Sequence, residues 1–317
     1  MPYVALAPDA REDRQAAARS RWEALVALRP ELQPAVALRM DLLTLVSDLS
    51  DAIERGRLPR LSLPPKYLAA KLARGIPALV GEPIPMPVTA LVPALGAFCE
   101  ALARGGAGQA ADHIRSQLDE TRMDAGSLLA ASLKRDQGAI RTAAVHGGLA
   151  PDLLWLIAEL AVSPFVYALQ RSLFAGTPPE SPLRAALDAW SQGYCPLCGS
   201  WPALAEVAAT HRVLRCSFCA LAWELNTYAC IYCEDDGEKF VTAAPDEERK
   251  DRRLEICSSC GAYLKAIDVL SLSPFPLLAI TDLETMDLDM AAMERGYNRP
   301  VLKAFTTRQG QPPIISR

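Results

Sequence analysis

A chain of 317 residues that is half apolar, 22% charged and only −4 in net charge has apolar material for more than one core. That composition excludes a disordered chain and is that of a folded soluble protein.

Met1-Pro2-Tyr3-Val4 carries no cationic stretch leading into an apolar run. We therefore expect no secretory signal and a cytoplasmic protein. From there to about residue 190 the pattern is helical. Trp22, Leu25, Val26 and Leu28 recur at helical spacing, as do Val36, Leu42, Leu45, Val46, Leu49 and Ile53. Further helices are predicted near 88–103, 109–119, 124–145, 150–174 and 182–190. Between the helical stretches lie Arg55-Gly56, Pro64-Pro65, the prolines at 83, 85 and 87, Gly105-Gly106, Gly147-Gly148 and Pro178-Pro179. The run 153–169 is apolar apart from Glu159, Ser163 and Pro164. It is short for a bilayer span and interrupted near its middle, so we read it as a buried core helix with no membrane insertion.

After Gly193 the character changes. Short strand-like stretches at 205–207, 212–215, 223–225 and 239–242 alternate with cysteine pairs and read as small hairpins. Arg249, Lys250, Arg252 and Arg253 are interleaved with Asp246, Glu247, Glu248 and Asp251, which reads as a solvated turn. Helix returns around 282–295, followed by a loose tail.

Eight of the nine cysteines fall in four C-x2-C pairs: Cys195 and Cys198, Cys216 and Cys219, Cys230 and Cys233, Cys257 and Cys260. In a cytoplasmic chain such pairs mean metal rather than disulfides. Two thiolates two residues apart grip one ion from a tight turn, and two such turns complete a tetrahedron. The longer intervals suit hairpins and the shorter one a link, which pairs first with second and third with fourth. Pairing across the ribbons, such as first with third, stays open at this level. Tetrahedral sulfur suits zinc or a single iron, so two ions per chain are expected, iron or zinc.

Gly199 and Gly261 follow the second cysteine of their pairs, where a left-handed backbone is common. Ala220 and Glu234 hold that place in the other two pairs, so those turns are expected to be strained or shaped differently. Cys99, in an apolar helical stretch, reads as a buried thiol. His211 reads as a hairpin residue rather than a ligand, and His113 and His146 as structural.

Many metal ribbons bind nucleic acid, and here charge decides against it. Residues 191–270 hold 8 Lys and Arg against 12 Asp and Glu, and each tetrathiolate around a divalent ion adds two negative charges. Such a surface repels phosphate, and the helical part balances at 20 against 20. No Gly-rich phosphate loop, H-E-x-x-H or nucleophile elbow is present. A closed four-cysteine site leaves no place for substrate, so we expect a protein that is not an enzyme.

The run Cys195-Pro196-Leu197-Cys198-Gly199-Ser200-Trp201-Pro202, with Arg215-Cys216-Ser217-Phe218-Cys219 and Trp223, resembles the formate dehydrogenase accessory protein family, FdhE. The likeness continues through Cys230-Ile231-Tyr232-Cys233, Cys257-Ser258-Ser259-Cys260-Gly261-Ala262-Tyr263-Leu264-Lys265, Asp282-Leu283 and Glu294-Arg295-Gly296-Tyr297. It is dense from about 193 to 300, and the part before that is compatible without a motif of its own.

The resemblance implies a helical domain joined to two rubredoxin-like modules. It also implies iron at the eight paired cysteines, and a cytoplasmic factor that binds the catalytic subunit of formate dehydrogenase before its export. The expected fold class is thus multidomain, an all-α N-terminal domain followed by two small rubredoxin-like or zinc-ribbon β modules. The expected division is 1–190 helical, 191–226 first ribbon, 227–270 second ribbon and 271–317 C-terminal helix and tail. The alternative function is a rubredoxin-like iron electron-transfer protein. Oligomeric state is not legible.

Overall fold

The computed structural model describes residues 3, 4, 6, 11–56, 61, 63–244 and 249–300. The tail expected beyond 300 and the acidic residues 246–248 lie outside the described residues.

The N-terminal part is helical: α1 (Arg11–Leu28), α2 (Gln33–Arg55), α3 (Pro65–Leu72), α4 (Val88–Leu102), α5 (Gly108–Asp119), α6 (Ala125–Leu133), α7 (Gln137–His146), α8 (Pro151–Gln170) and α9 (Pro182–Asp188). Their ends follow local chemistry. Asp124, Asp136 and Ser181 cap α6, α7 and α9 by accepting the backbone N–H of Ser127, Ala139 and Arg184. The helix expected over 124–145 is broken in two by Arg135, whose φ of 58° ends one helix, and by the Asp136 cap that starts the next.

Helix α8 is the apolar run noted above, and it packs against α2, α4, α6 and α7. Its acid is accounted for, since Arg135 Nη2 donates to Glu159 Oε1 at 2.7 Å. Two stretches, Val88–Asp119 and Pro151–Ala175, are long and apolar enough to cross a membrane by length and composition. The second is this central helix, and 61% of its apolar window is buried inside the protein.

Among the described residues the β part is one seven-stranded sheet. Its strands are β1 (Tyr3–Val4), β2 (Pro202–Ala208), β3 (His211–Cys216), β4 (Ala222–Glu224), β5 (Phe240–Ala243), β6 (Arg252–Cys257) and β7 (Ala262–Val269), in the order β1-β4-β3-β2-β7-β6-β5. Each ribbon is an antiparallel meander, β2-β3-β4 and β5-β6-β7. The two meet through a parallel pairing of β2 with β7, with Ala205 opposite Ala266 and Val207 opposite Asp268. The expected fold class holds: helices first, then a sheet region with two four-cysteine clusters.

Helix α3 and strands β1, β6 and β7 have no counterpart among the predicted elements. Strand β1 adds Tyr3 opposite Trp223 at the sheet edge, and Gln170 Nε2 donates to the Tyr3 hydroxyl at 2.9 Å, which ties α8 to the sheet. The interleaved charges at 249–253 run into β6 rather than forming only a turn. There Arg253 forks onto Asp268 across β7, and Arg252 Nη1 donates to the Glu284 carbonyl. Basic side chains paired this way tolerate a strand as readily as a turn.

One apolar core runs through both halves. It joins Leu49, Leu95, Phe98, Phe165 and Leu169 of the helices to Tyr194, Leu197, Phe218, Trp223 and four of the paired cysteines. The helix expected around 282–295 is a pair, α10 (Leu278–Glu284) and α11 (Met286–Met293). Leu277, Ile280 and Leu283 return to Trp22 and Leu25 of α1, while Leu288 and Ala292 pack on Ile256 and Tyr263 of the sheet.

Candidate metal centres

The eight paired cysteines gather as two fours, Cys195 with Cys198, Cys216 and Cys219, and Cys230 with Cys233, Cys257 and Cys260. Within each four the sulfurs all lie within 4.8 Å of one another. Cys195–Cys219, Cys198–Cys216 and Cys198–Cys219 are 3.6, 3.4 and 3.8 Å apart. Cys230–Cys260 and Cys233–Cys257 are 3.7 and 3.6 Å apart. A tetrahedron with metal–sulfur bonds of about 2.3 Å has edges of about 3.8 Å. The spacing therefore fits an ion at the middle of each group, and it is far from the bond length of a disulfide.

All four turns are built alike. The residue after the second cysteine donates its N–H to the carbonyl of the first: Gly199 to Cys195 at 3.0 Å, Ala220 to Cys216 at 3.1 Å, Glu234 to Cys230 at 2.8 Å and Gly261 to Cys257 at 2.9 Å. Closing that ring needs a left-handed residue, and φ is 79°, 53°, 65° and 69° in the same order. Ala220 and Glu234 thus adopt the glycine shape rather than a different turn. Backbone N–H groups also face the thiols, from Leu197 to Cys195 Sγ at 3.4 Å and from Phe218 to Cys216 Sγ at 3.4 Å. Such donors stabilise thiolates, the form that binds metal.

In each ribbon one turn precedes the meander and the other joins two of its strands, β3 to β4 in the first and β6 to β7 in the second. Hydrogen-bonded strands therefore fix the separation between the two halves of every site. The first four are entirely buried, and burial pushes the Cys195 and Cys219 thiols far above their ordinary range. Thiolates so placed need a cation among them to ionise. The second group is half open: Cys230 and Cys257 are buried, whereas Cys233 and Cys260 are exposed.

The surroundings hold residues that the cysteine spacing gave no hint of. Trp190, Tyr194, Trp201 and Tyr232 form a run of edge-on rings from the end of the helices to the second site's first turn, with centroids 5.6, 5.6 and 4.9 Å apart. The Arg135 guanidinium lies 3.8 Å from the Phe218 ring and 4.6 Å from that of Trp155, capping the turn at Cys216. In the first ribbon Arg215 pairs with Glu206, and Arg215 Nη2 donates to the Ser273 carbonyl at 2.6 Å, all out of water.

His211 lies at the start of β3 with Nδ1 3.1 Å from Glu224 Oε2, away from both groups of thiols. His146 Nδ1 contacts the Thr142 carbonyl. Cys99 is fully buried in α4, and burial pushes its thiol up to about 11.

A helical body carrying one sheet with two four-thiol groups defines a two-centre ribbon protein of the zinc-ribbon or rubredoxin kind. The protein FdhE of Escherichia coli O127:H6 is 29% identical to it over 148 residues, 45% of this chain and 47% of that one. An FdhE homolog of Aquifex aeolicus is 27% identical over 165 residues, 48% and 52% of the two chains. The chain thus spans about half the length of the curated relatives it matches. The crystal structure of the FdhE protein from Pseudomonas aeruginosa has a similar fold, with a TM-score of 0.57 over 94% of this chain and 96% of that one at 22% identity. No protein-family model matches the chain. The resemblance to FdhE carried by the cysteine turns is borne out by these likenesses.

Proposed function

We propose that this protein is an accessory factor for formate dehydrogenase. It binds the enzyme's catalytic subunit in the cytoplasm and supports assembly of the active enzyme before export. The observation that carries the reading is the pair of four-thiol groups set in an FdhE-like fold. Cys195, Cys198, Cys216 and Cys219 hold one ion, and Cys230, Cys233, Cys257 and Cys260 a second, each zinc or iron. The ions fix the shape of the ribbons, so binding of the client depends on metal. Closed sulfur sites leave no place for substrate, which supports an accessory role over catalysis. The acidic second ribbon, with Glu234, Asp236 and Glu238 exposed, supports a protein client over nucleic acid.

The test is a deletion strain. It should make the catalytic subunit yet oxidise little formate, and Cys230 or Cys257 variants should not restore activity. Full formate oxidation without this protein, and without a paralogue, would end the reading. A second reading, a one-electron carrier, is favoured by the exposure of Cys233 and Cys260, since electrons leave most readily through open ligands. Reversible redox cycling of the iron-loaded protein, with formate oxidation unaffected by its deletion, would select that reading.

A further inference from the structure

We propose that the two centres are unequal: the first holds a permanent structural ion, and the second exchanges its ion with thiol ligands while the chain stays folded. This rests on the reading that each group of four holds one ion.

The two centres share ring-closing hydrogen bonds, left-handed residues and sulfur spacing, so the difference lies in what covers them. In the first, Cys195, Cys216 and Cys219 are 0% exposed and Cys198 is 4% exposed. The cover comes from the helical half. Ala78 and Leu79 donate to the carbonyls of Pro196 and Leu197 at 2.8 and 2.9 Å, lying along the first turn. Arg135, which also lies against the Trp155 ring, caps Phe218 in the second turn. Cys198 alone borders a surface cleft, beside Gly199, Leu79 and Arg135, and only 4% of it is exposed. Reaching the other three sulfurs means parting the main core, to which all four belong.

In the second centre Cys230 and Cys257 are the buried anchors. Cys233 and Cys260, the second cysteine of each turn, are exposed, and so are Ser258, Ser259, Glu234 and Asp236 around them. One thiolate from each turn thus faces water, a geometry for stepwise replacement. An incoming thiol would bind the ion as the bond to Cys233 breaks. Its proton would pass to the departing Cys233 thiolate, so charge is conserved and nothing is oxidised. The acidic rim attracts cations and repels anionic chelators, which makes a neutral thiol the effective entrant, while a neutral alkylating reagent forms a carbon–sulfur bond to the Cys233 sulfur once it has left the ion and so traps the opened centre.

The experiment uses the full chain loaded with zinc, treated with N-ethylmaleimide, a neutral alkylating reagent. A colorimetric zinc indicator follows release, and mass spectrometry of digests follows the modified cysteines. One ion per chain should leave on the order of 100-fold faster than the other, because the slow one waits on opening of the core. The first adducts should fall on Cys233 and Cys260. The variant Cys233→Ser should keep helical circular dichroism and one tightly held ion, and should lack the fast phase. Two ions leaving in one phase, or early adducts on the first four cysteines, would overturn the inference while leaving two-site binding intact. Fewer than two ions in the fully loaded protein would overturn the two-ion reading, and the inference with it.

Discussion

Replacing Gly193 with alanine tests how closely the two ribbons are locked together. Gly193 is buried two residues before Cys195, and its backbone lies against the second site's first turn. A Cβ there would overlap the Ile231 carbonyl oxygen and come within 2.8 Å of the carbonyl carbon and 2.9 Å of the Cα. Carbon atoms settle at about 3.5–4.0 Å, so the two backbones would have to part by about 1 Å. Neither can yield as a side chain would. Ile231 is 5% exposed, and Tyr232 packs edge-on against Trp201 with centroids 4.9 Å apart. Overpacking costs about 1–3 kcal/mol, and loosening the ring pair roughly 0.5–1.5 kcal/mol more, so Gly193→Ala should lose about 2–4 kcal/mol. Guanidinium unfolding of the zinc-loaded chain, followed by tryptophan fluorescence, measures it. Gly96→Ala is the control: that glycine lies in α4 with nothing within 4 Å of a new Cβ, and the change should gain about 0.5–1 kcal/mol. A Gly193→Ala loss under about 0.5 kcal/mol, the range of ordinary surface changes, would refute the argument for a tight approach.

Glu234→Gly should raise stability by about 0.5–1 kcal/mol, because an exposed side chain at φ 65° carries a left-handed penalty larger than the entropy that glycine adds to the unfolded chain. No change in the denaturant midpoint would show that the turn bears no such penalty. Asp282 accepts from Lys265 Nζ at 2.7 Å and from Arg299 Nη1 at 2.6 Å. Burial alone would raise its pKa, but Arg299 and then Lys265 hold the carboxyl well below the usual carboxylate range. A depressed folded-state pKa contributes stability above the unfolded value of about 4 and loses it as pH falls towards the folded value. Asp282→Asn should therefore cost about 1–3 kcal/mol at pH 7, since Lys265 and Arg299 keep Asp289 as a partner, and should flatten the loss of stability below pH 4. An unchanged acid limb would contradict it. Cys99→Ala should leave formate oxidation intact at a cost of about 1 kcal/mol, and the wild-type thiol, raised to about 11, should resist alkylation at pH 8 until the chain unfolds.

Much of the candidate site is local chemistry and therefore legible in the chain. A C-x2-C pair closes its own turn within five residues, so four pairs announce four turns whatever surrounds them. Helices were legible where the apolar period is strong, as in α2 and α8. Strands β6 and β7 were harder to read. Their positions include Arg253, Glu255 and Lys265, and a charged side chain in a sheet is stable only once its partner across the sheet is known. Lys265 is fully buried because Asp289, from a helix two dozen residues away, meets it at 2.7 Å. Of the two outcomes expected for the Ala220 and Glu234 turns, strain or a different shape, the structure shows strain in the glycine shape, because the ring-closing hydrogen bond outweighs the left-handed penalty, a balance that composition does not reveal. That four thiolate turns exist and that helices precede them follows from neighbours along the chain. That the two ribbons share one sheet through β2 and β7, and that the helical core covers the first centre while Cys233 and Cys260 of the second face water, is visible in the fold alone. Those outcomes depend on which distant surfaces exclude water from each other, and no spacing along the chain encodes that.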